Sequence, residues 1–244
     1  MARVAIISHR GGSFLWPENS LAAFRKTLLL PLEQAECDVH LSADGAVVVM
    51  HDATLDRTTD GTGPVAAQAL EALRRWRIRG TGGEGVPTLA ELAALFHGAA
   101  MRLRVEIKTD AGGRPYPGIV GKTLAVLDAA GIRDRSVLIG FQAPVMAEAL
   151  AAGGLAGVSW LLEGRALQEI GVDGIVAAAR AYGFRDLGFP ARSLDTELLA
   201  RLRGDGFSVN VWGANHREEI ARMLALGVDA FATDDPPLAI AMRG

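Results

Sequence analysis

Glu36 and Asp38 stand two residues apart in the run ECDVHL, and Glu106 stands two residues before Lys108 in VEIK. Both runs have the apolar and β-branched character of strands. Strand side chains alternate between faces, so each pair shares one face. Three carboxylates brought to one place repel one another and hold their protons more tightly. A divalent cation relieves this, and all-oxygen ligands suit Mg²⁺ or Ca²⁺. The other solution is a structural network in which arginine or lysine neutralises the carboxylates. Two histidines close apolar runs: His9 follows VAIIS and His51 follows VVVM. A lone histidine more often has a structural role. A pair at neighbouring strand ends can serve as general base and general acid, because imidazole titrates near neutrality. Arg10 and Lys108, with a cation, make an anion site that suits a phosphate diester better than a neutral substrate. His40 shares the face of Asp38, and its role stays open at this level. His97 and His216 fall in or beside helical stretches and read as surface or packing residues.

These groups need a frame that delivers strand ends to one place. Short β-branched runs at 4–8, 36–41, 47–51, 103–108, 137–141, 157–162, 185–188, 207–212 and 230–233 predict strands. Amphipathic stretches at 20–34, 89–97, 118–130, 144–152, 167–182, 195–203, 217–226 and 237–242 predict helices. Such alternation predicts parallel strands with helical crossovers. About eight units in roughly 250 residues is the size of a (β/α)₈ TIM-type barrel; a doubly wound sheet is the alternative. In either fold the carboxyl ends of the strands form the active site. Trp212 and Thr233-Asp234 also close predicted strands there. SADG at 42–45 reads as a tight turn joining two strands in a hairpin. The segment 53–87 is rich in Gly, Thr and charge, with one short helical piece near 67–76, and reads as an insertion after the second unit. Gly11-Gly12 permit a sharp turn but form neither GxGxxG nor a P-loop. Asn19 or Ser20 reads as a helix N-cap, and Glu18 as a residue favouring that helix start.

The chain has 244 residues, half of them hydrophobic, enough for one substantial core. A formal net charge of −3 leaves no footprint for nucleic acid or an anionic membrane. Cys37 is the one cysteine, which excludes an internal disulfide. The apolar stretch near the N-terminus is too short for a signal peptide, and no run is long enough to span a bilayer. The expectation is a soluble, cytoplasmic protein without stable membrane insertion. Its oligomeric state is not legible.

Six motifs occur in order along the chain: HRGG…PENS (9–20), ECDVHLSADGAVVVMHDATLDRTTDGTG (36–63), VPTLAEL (86–92), VEIK (105–108), VNVWGAN (209–215) and FATDDP (231–236). Together they resemble the glycerophosphodiester phosphodiesterase family. The resemblance implies a (β/α)₈ barrel with a segment inserted after its second strand. It implies metal-dependent hydrolysis of a small glycerophosphodiester to an alcohol and glycerol 3-phosphate. It maps the metal ligands onto Glu36, Asp38 and Glu106, the catalytic histidines onto His9 and His51, the phosphate contacts onto Arg10 and Lys108, and a pocket-walling tryptophan onto Trp212. Departures at Ser20, Cys37, Ser42, Gly140 and Asp235 leave this set intact, with Cys37 expected to pack outward. Besides a sugar-phosphate lyase or isomerase acting on monoesters, two other readings remain within reach of the sequence. One is a phospholipase-like relative using Phe14, Leu15 and Trp16 as an apolar rim. The other is a catalytically silent barrel that binds glycerophosphodiesters.

Overall fold

Eight of the apolar runs pair side by side in parallel and close on themselves. The computed structural model describes residues 3–244. Its strands are β1 (Ala5–Ser8), β2 (Gln34–Leu41), β3 (Val47–Val49), β4 (Arg102–Ile107), β5 (Ser136–Gly140), β6 (Gly157–Leu161), β7 (Asp186–Pro190), β8 (Ser208–Trp212) and β9 (Ala230–Thr233). The order is β1-β9-β8-β7-β6-β5-β4-β2, and β1 also pairs with β2, which completes a closed parallel barrel. The doubly wound alternative is thereby excluded. β3 pairs antiparallel with β2, Val39 opposite Val49, through the turn expected at 42–45. It ends at Val49, so His51 lies just beyond a strand end.

Helices cover the outside: α1 (Leu21–Thr27), α2 (Leu70–Leu73), α3 (Leu89–Leu95), α4 (Ile119–Ala129), α5 (Ala143–Ala152), α6 (Gly164–Tyr182), α7 (Thr196–Gly204), α8 (Arg217–Leu226) and α9 (Pro236–Arg243). α1 is much shorter than the predicted 20–34. Pro31 lacks an N–H and disfavours helical backbone at Leu30, so the chain leaves the helix and has begun β2 by Gln34. Side chains cap several starts. The Thr88 hydroxyl accepts from the Glu91 N–H at 3.2 Å while Glu91 accepts from the Thr88 N–H at 2.9 Å. The Asp195 and Asp235 carboxylates accept from the N–H groups of Leu198 and Leu238. α6 starts earlier than the pattern suggested and breaks at Gly171, whose φ is 65°.

Strand alternation divides the barrel cleanly. Ala35, Cys37 and Val39 of β2, Leu103 and Val105 of β4, Leu187 and Phe189 of β7, and Val209 and Val211 of β8 face the helices and make the main core. The intervening residues point inward. Toward the floor these are polar: the Arg104 guanidinium donates to Gln34 Oε1 at 3.1 Å, and Asn210 donates to Asp186. Among the apolar ones, Val137, Ile139 and Leu161 pack with Trp212. Gly188 makes room there, since a Cβ would lie 2.4 Å from Leu161 Cδ2. The segment 53–87 carries a turn of 3₁₀ helix and the short α2 where one helical piece was expected. Leu55, Val65, Leu73 and Val86 pack on Val48 and Met50 as a small separate core. Among the described residues no helix is long and apolar enough to cross a membrane.

Candidate active site

The acidic trio predicted from strand parity forms where β2 and β4 lie side by side. Asp38 is paired in register with Glu106, and one oxygen from each of Glu36, Asp38 and Glu106 lies within 4.8 Å of the others. All three residues are buried. Cations flank them: Lys108 Nζ donates to Glu106 Oε1 at 2.8 Å and stands 3.3 Å from Asp38 Oδ1, while Arg10 Nε lies 3.5 Å from Asp38 Oδ2. Both relief mechanisms were open from sequence. The cations meet part of the demand, yet Glu36 Oε1 and Asp38 Oδ1 are buried without a hydrogen-bond partner. Burial, reinforced by the Asp38 charge, pushes Glu36 up to about 8. Burial also acts against Asp38, but the Lys108 ammonium and other nearby cations outweigh it and hold Asp38 below the usual carboxylate range. Orphaned, crowded carboxylate oxygens are what a hard divalent cation satisfies, so the donor set fits one.

The turn after β1 brings the first histidine and the first cation together. Arg10 adopts a left-handed backbone with φ 51°, which directs its N–H to Glu36 Oε2 at 3.0 Å. Gly11 follows with φ 81°, and a Cβ there would lie 2.9 Å from Ala23 Cβ. His9 Nδ1 donates to Asp234 Oδ1 at 2.6 Å, leaving Nε2 on the side of Glu36, 3.9 Å from its Oε2. Asp234 is itself held by the Ser13 hydroxyl at 2.5 Å and the Asn215 amide at 2.6 Å. Burial works to lower the His9 imidazole, but the hydrogen bond to Asp234 and the Glu36 charge outweigh it and raise its basicity. His51 is buttressed in the same way, with Nδ1 2.6 Å from Asp52 Oδ1. Hydrogen bonding from Arg57 is the main cause that lowers Asp52 to about 2.

Several residues proved different from their sequence readings. Ser20, rather than Asn19, caps α1, accepting from the Ala23 N–H at 3.1 Å. Asn19 has φ 56° and donates through Nδ2 to Asp38 Oδ2 at 2.8 Å, so it orients an acidic residue of the trio. Glu18 does not serve a helix start: it accepts from Arg10 at 3.2 Å and from Arg57. His40 is buried and is pushed down to about 4, chiefly by burial. It bonds Tyr116 Oη at 2.9 Å and the His51 carbonyl at 3.0 Å. The carbonyl can only accept, so His40 Nε2 carries the proton and Nδ1 accepts from the tyrosine. His97 and His216 are exposed, as expected.

His9, His51, Glu36, Glu106, Lys108 and Trp212 line one cavity of about 600 Å³ at the barrel mouth. Trp212 meets the Phe141 ring edge-on at 6.0 Å, and its Nε1 is buried without a hydrogen-bond partner. Arg104 belongs to the same cavity, and nothing at the level of motif singled it out, although its parity with Glu106 placed it on the inner face. Phe14 and Leu15 are exposed, at 54% and 44%. Trp16 is half-buried and lies under the Lys26 ammonium.

The barrel mouth thus gathers two carboxylate-backed imidazoles, two cations and an acidic trio, groups able to move protons and to stabilise negative charge at a phosphodiester. The family model described as glycerophosphoryl diester phosphodiesterase matches residues 9–238, and the chain belongs to that family. A glycerophosphodiester phosphodiesterase of Caldanaerobacter subterraneus subsp. tengcongensis is 28% identical over 239 residues, covering 96% of this chain and 95% of its own. A crystal structure from Agrobacterium tumefaciens, described provisionally as a glycerophosphoryl diester phosphodiesterase, is 34% identical, covers 99% of this chain and 98% of its own, and superimposes with a TM-score of 0.96. An Oleispira antarctica phosphodiesterase, solved in complex with the product sn-glycerol-3-phosphate, shares the fold with 23% identity and a TM-score of 0.82, covering 98% of this chain and 96% of its own.

Proposed function

We propose that this chain hydrolyses glycerophosphodiesters to an alcohol and glycerol 3-phosphate by paired histidine catalysis, with one Mg²⁺ or Ca²⁺ held by Glu36, Asp38 and Glu106. The observation that carries the reading is the pair of imidazoles, each tied to a carboxylate through Nδ1, facing one cavity with the acidic trio. Tying Nδ1 sets the tautomer and frees Nε2 for proton transfer. The bound cation would supply charge stabilisation for the phosphoryl oxygens. Arg10 and Lys108 add positive charge where the transition state gathers negative charge. His9 accepts the nucleophile's proton, as its raised basicity favours. The nucleophile's oxygen bonds to phosphorus, the bond from phosphorus to the alcohol oxygen breaks, and His51 gives that oxygen its proton. The nucleophile is water, or the glycerol 2-hydroxyl by way of a cyclic phosphate that water then opens. Trp212 walls the substrate pocket. One barrel unit, with 53–87 as its insertion, suffices for this chemistry.

The test is a release assay on a panel of glycerophosphodiesters with added Mg²⁺ or Ca²⁺. Formation of glycerol 3-phosphate from glycerophosphocholine supports hydrolysis. Tight binding without turnover would instead make the chain a silent binding barrel, and activity confined to intact lipid in vesicles would make it phospholipase-like.

Two substitutions probe the binding groups. Lys108→Ala is expected to lower kcat roughly 10²–10³-fold with an unchanged circular dichroism spectrum, the scale of losing one preorganised charge contact. Loss of folding would reassign Lys108 to structure. Asn19→Ala is expected to weaken Mg²⁺ or Ca²⁺ roughly 10–100-fold, because a residue that orients a metal ligand acts on that scale. The readout is a calorimetric titration of the cation into metal-free protein, and an unchanged affinity would separate Asn19 from the cation site.

A further inference from the structure

We propose that Arg57 is the positioning residue for His51 and that this is a principal role of the segment 53–87. The Arg57 guanidinium makes two forks. Toward Asp52, Nε donates to Oδ2 at 2.7 Å and Nη2 to Oδ1 at 2.9 Å. Toward Glu18, Nη1 donates to Oε2 and Nη2 to Oε1, both at 2.7 Å. The Asp52 oxygen that accepts from Nη2 is the one bonded to His51 Nδ1 at 2.6 Å. The Glu18 oxygen that accepts from Nη2 also accepts from Arg10 Nη1 at 3.2 Å. A continuous chain therefore runs His51–Asp52–Arg57–Glu18–Arg10 and ties the residues after β3 to those after β1. Arg57 does not line the cavity, so it acts on the reaction through what it holds.

Only a planar, five-donor guanidinium can grip two carboxylates in this way, and an ammonium cannot. The backbone that presents Arg57 is anchored. Leu55, two residues earlier, is fully buried in the small core on Val48 and Met50, and the Leu55 carbonyl accepts from the Thr59 hydroxyl at 2.8 Å. The insertion is thus packed onto β3, and β3 leads directly to His51. The Arg57 side chain is 48% exposed, so its ion pairs are screened by solvent and its removal should spare the fold. What is lost is the orientation of the Asp52 carboxylate and, with it, of the imidazole. Misplacing a reacting group by about 1 Å can cost on the order of 10²-fold.

This inference rests on the assignment of His51 as an acid–base group. The test is a double-substitution cycle on glycerophosphocholine hydrolysis, with Arg57→Ala, Arg57→Lys and His51→Ala alone and combined. Arg57→Ala is expected to lower kcat roughly 10–100-fold with little change in KM. In the His51→Ala background the same substitution should cost no more than about two-fold, since its partner is already gone. Arg57→Lys should recover only a small part of the loss. Should Arg57→Ala fail to fold, Arg57→Lys carries the same cycle. Equal losses in both backgrounds, full activity of the Arg57 variants, or full rescue by lysine would each overturn the proposal. A loss confined to KM would place the effect on the Glu18–Arg10 arm and overturn it too. Full activity of His51→Ala alone would show instead that the His51 assignment has failed.

Discussion

Turnover of glycerophosphocholine is expected to fall to background when the protein is dialysed exhaustively and assayed in excess EDTA, and to return on addition of Mg²⁺ or Ca²⁺. The expectation follows from the buried trio rather than from the cavity as a whole. Glu36, Asp38 and Glu106 place three carboxylates within 4.8 Å, and Lys108 and Arg10 leave Glu36 Oε1 and Asp38 Oδ1 without hydrogen bonds. A buried orphan acceptor is costly, and more so when charged. Burial and the neighbouring Asp38 charge push Glu36 up to about 8. Glu106→Gln keeps the shape and removes one charge, so it should raise the cation concentration needed for half-maximal activity. Full activity in EDTA would remove the cation from the mechanism and leave Arg10 and Lys108 as the only charge stabilisers.

The second large effect separates the two histidines. An alkyl alcohol is a poor leaving group and depends on protonation as it departs, whereas a nitrophenolate leaves unaided. His51→Ala is therefore expected to cost roughly 10²–10⁴-fold on glycerophosphocholine and far less on a nitrophenyl diester of the same glycerol phosphate. His9→Ala should damage both reactions, because the nucleophile must still lose its proton. The proposed order gives His9 the part of the base, and Asp234 and Glu36 raise the basicity of its imidazole against the effect of burial. The reverse pattern would exchange the roles. Equal losses on both substrates would mean that neither histidine is a dedicated leaving-group acid.

Much of the site could be read before any coordinates, because strand parity is a local property. A side-chain period of two places Glu36 with Asp38, and Glu106 with Lys108, on a shared face whatever the rest of the chain does. The same rule sends Cys37 to the opposite face, which the structure buries in the main core. The motif resemblance added what parity cannot supply, the expected substrate class, and mapped the family's catalytic histidines onto His9 and His51. In the folded chain His9 and His51 converge on one cavity.

What escaped the sequence was contact between distant residues. His9 meets Asp234 across 225 positions because β1 pairs with β9 as the barrel closes. Arg57 reaches Glu18 across 39 because the insertion folds back onto its own small core. Asn19 and Glu18 looked like helix-start residues because local spacing is all that a single sequence offers, while a left-handed turn aims Asn19 at Asp38. By itself the sequence determined the alternation of elements, which residues of each strand share a face and the identity of the groups at their ends, since these depend on neighbours a few residues apart. Only the tertiary structure decided which carboxylate backs which imidazole, where the first helix stops and what the insertion holds, since these depend on how eight strands close around a common mouth.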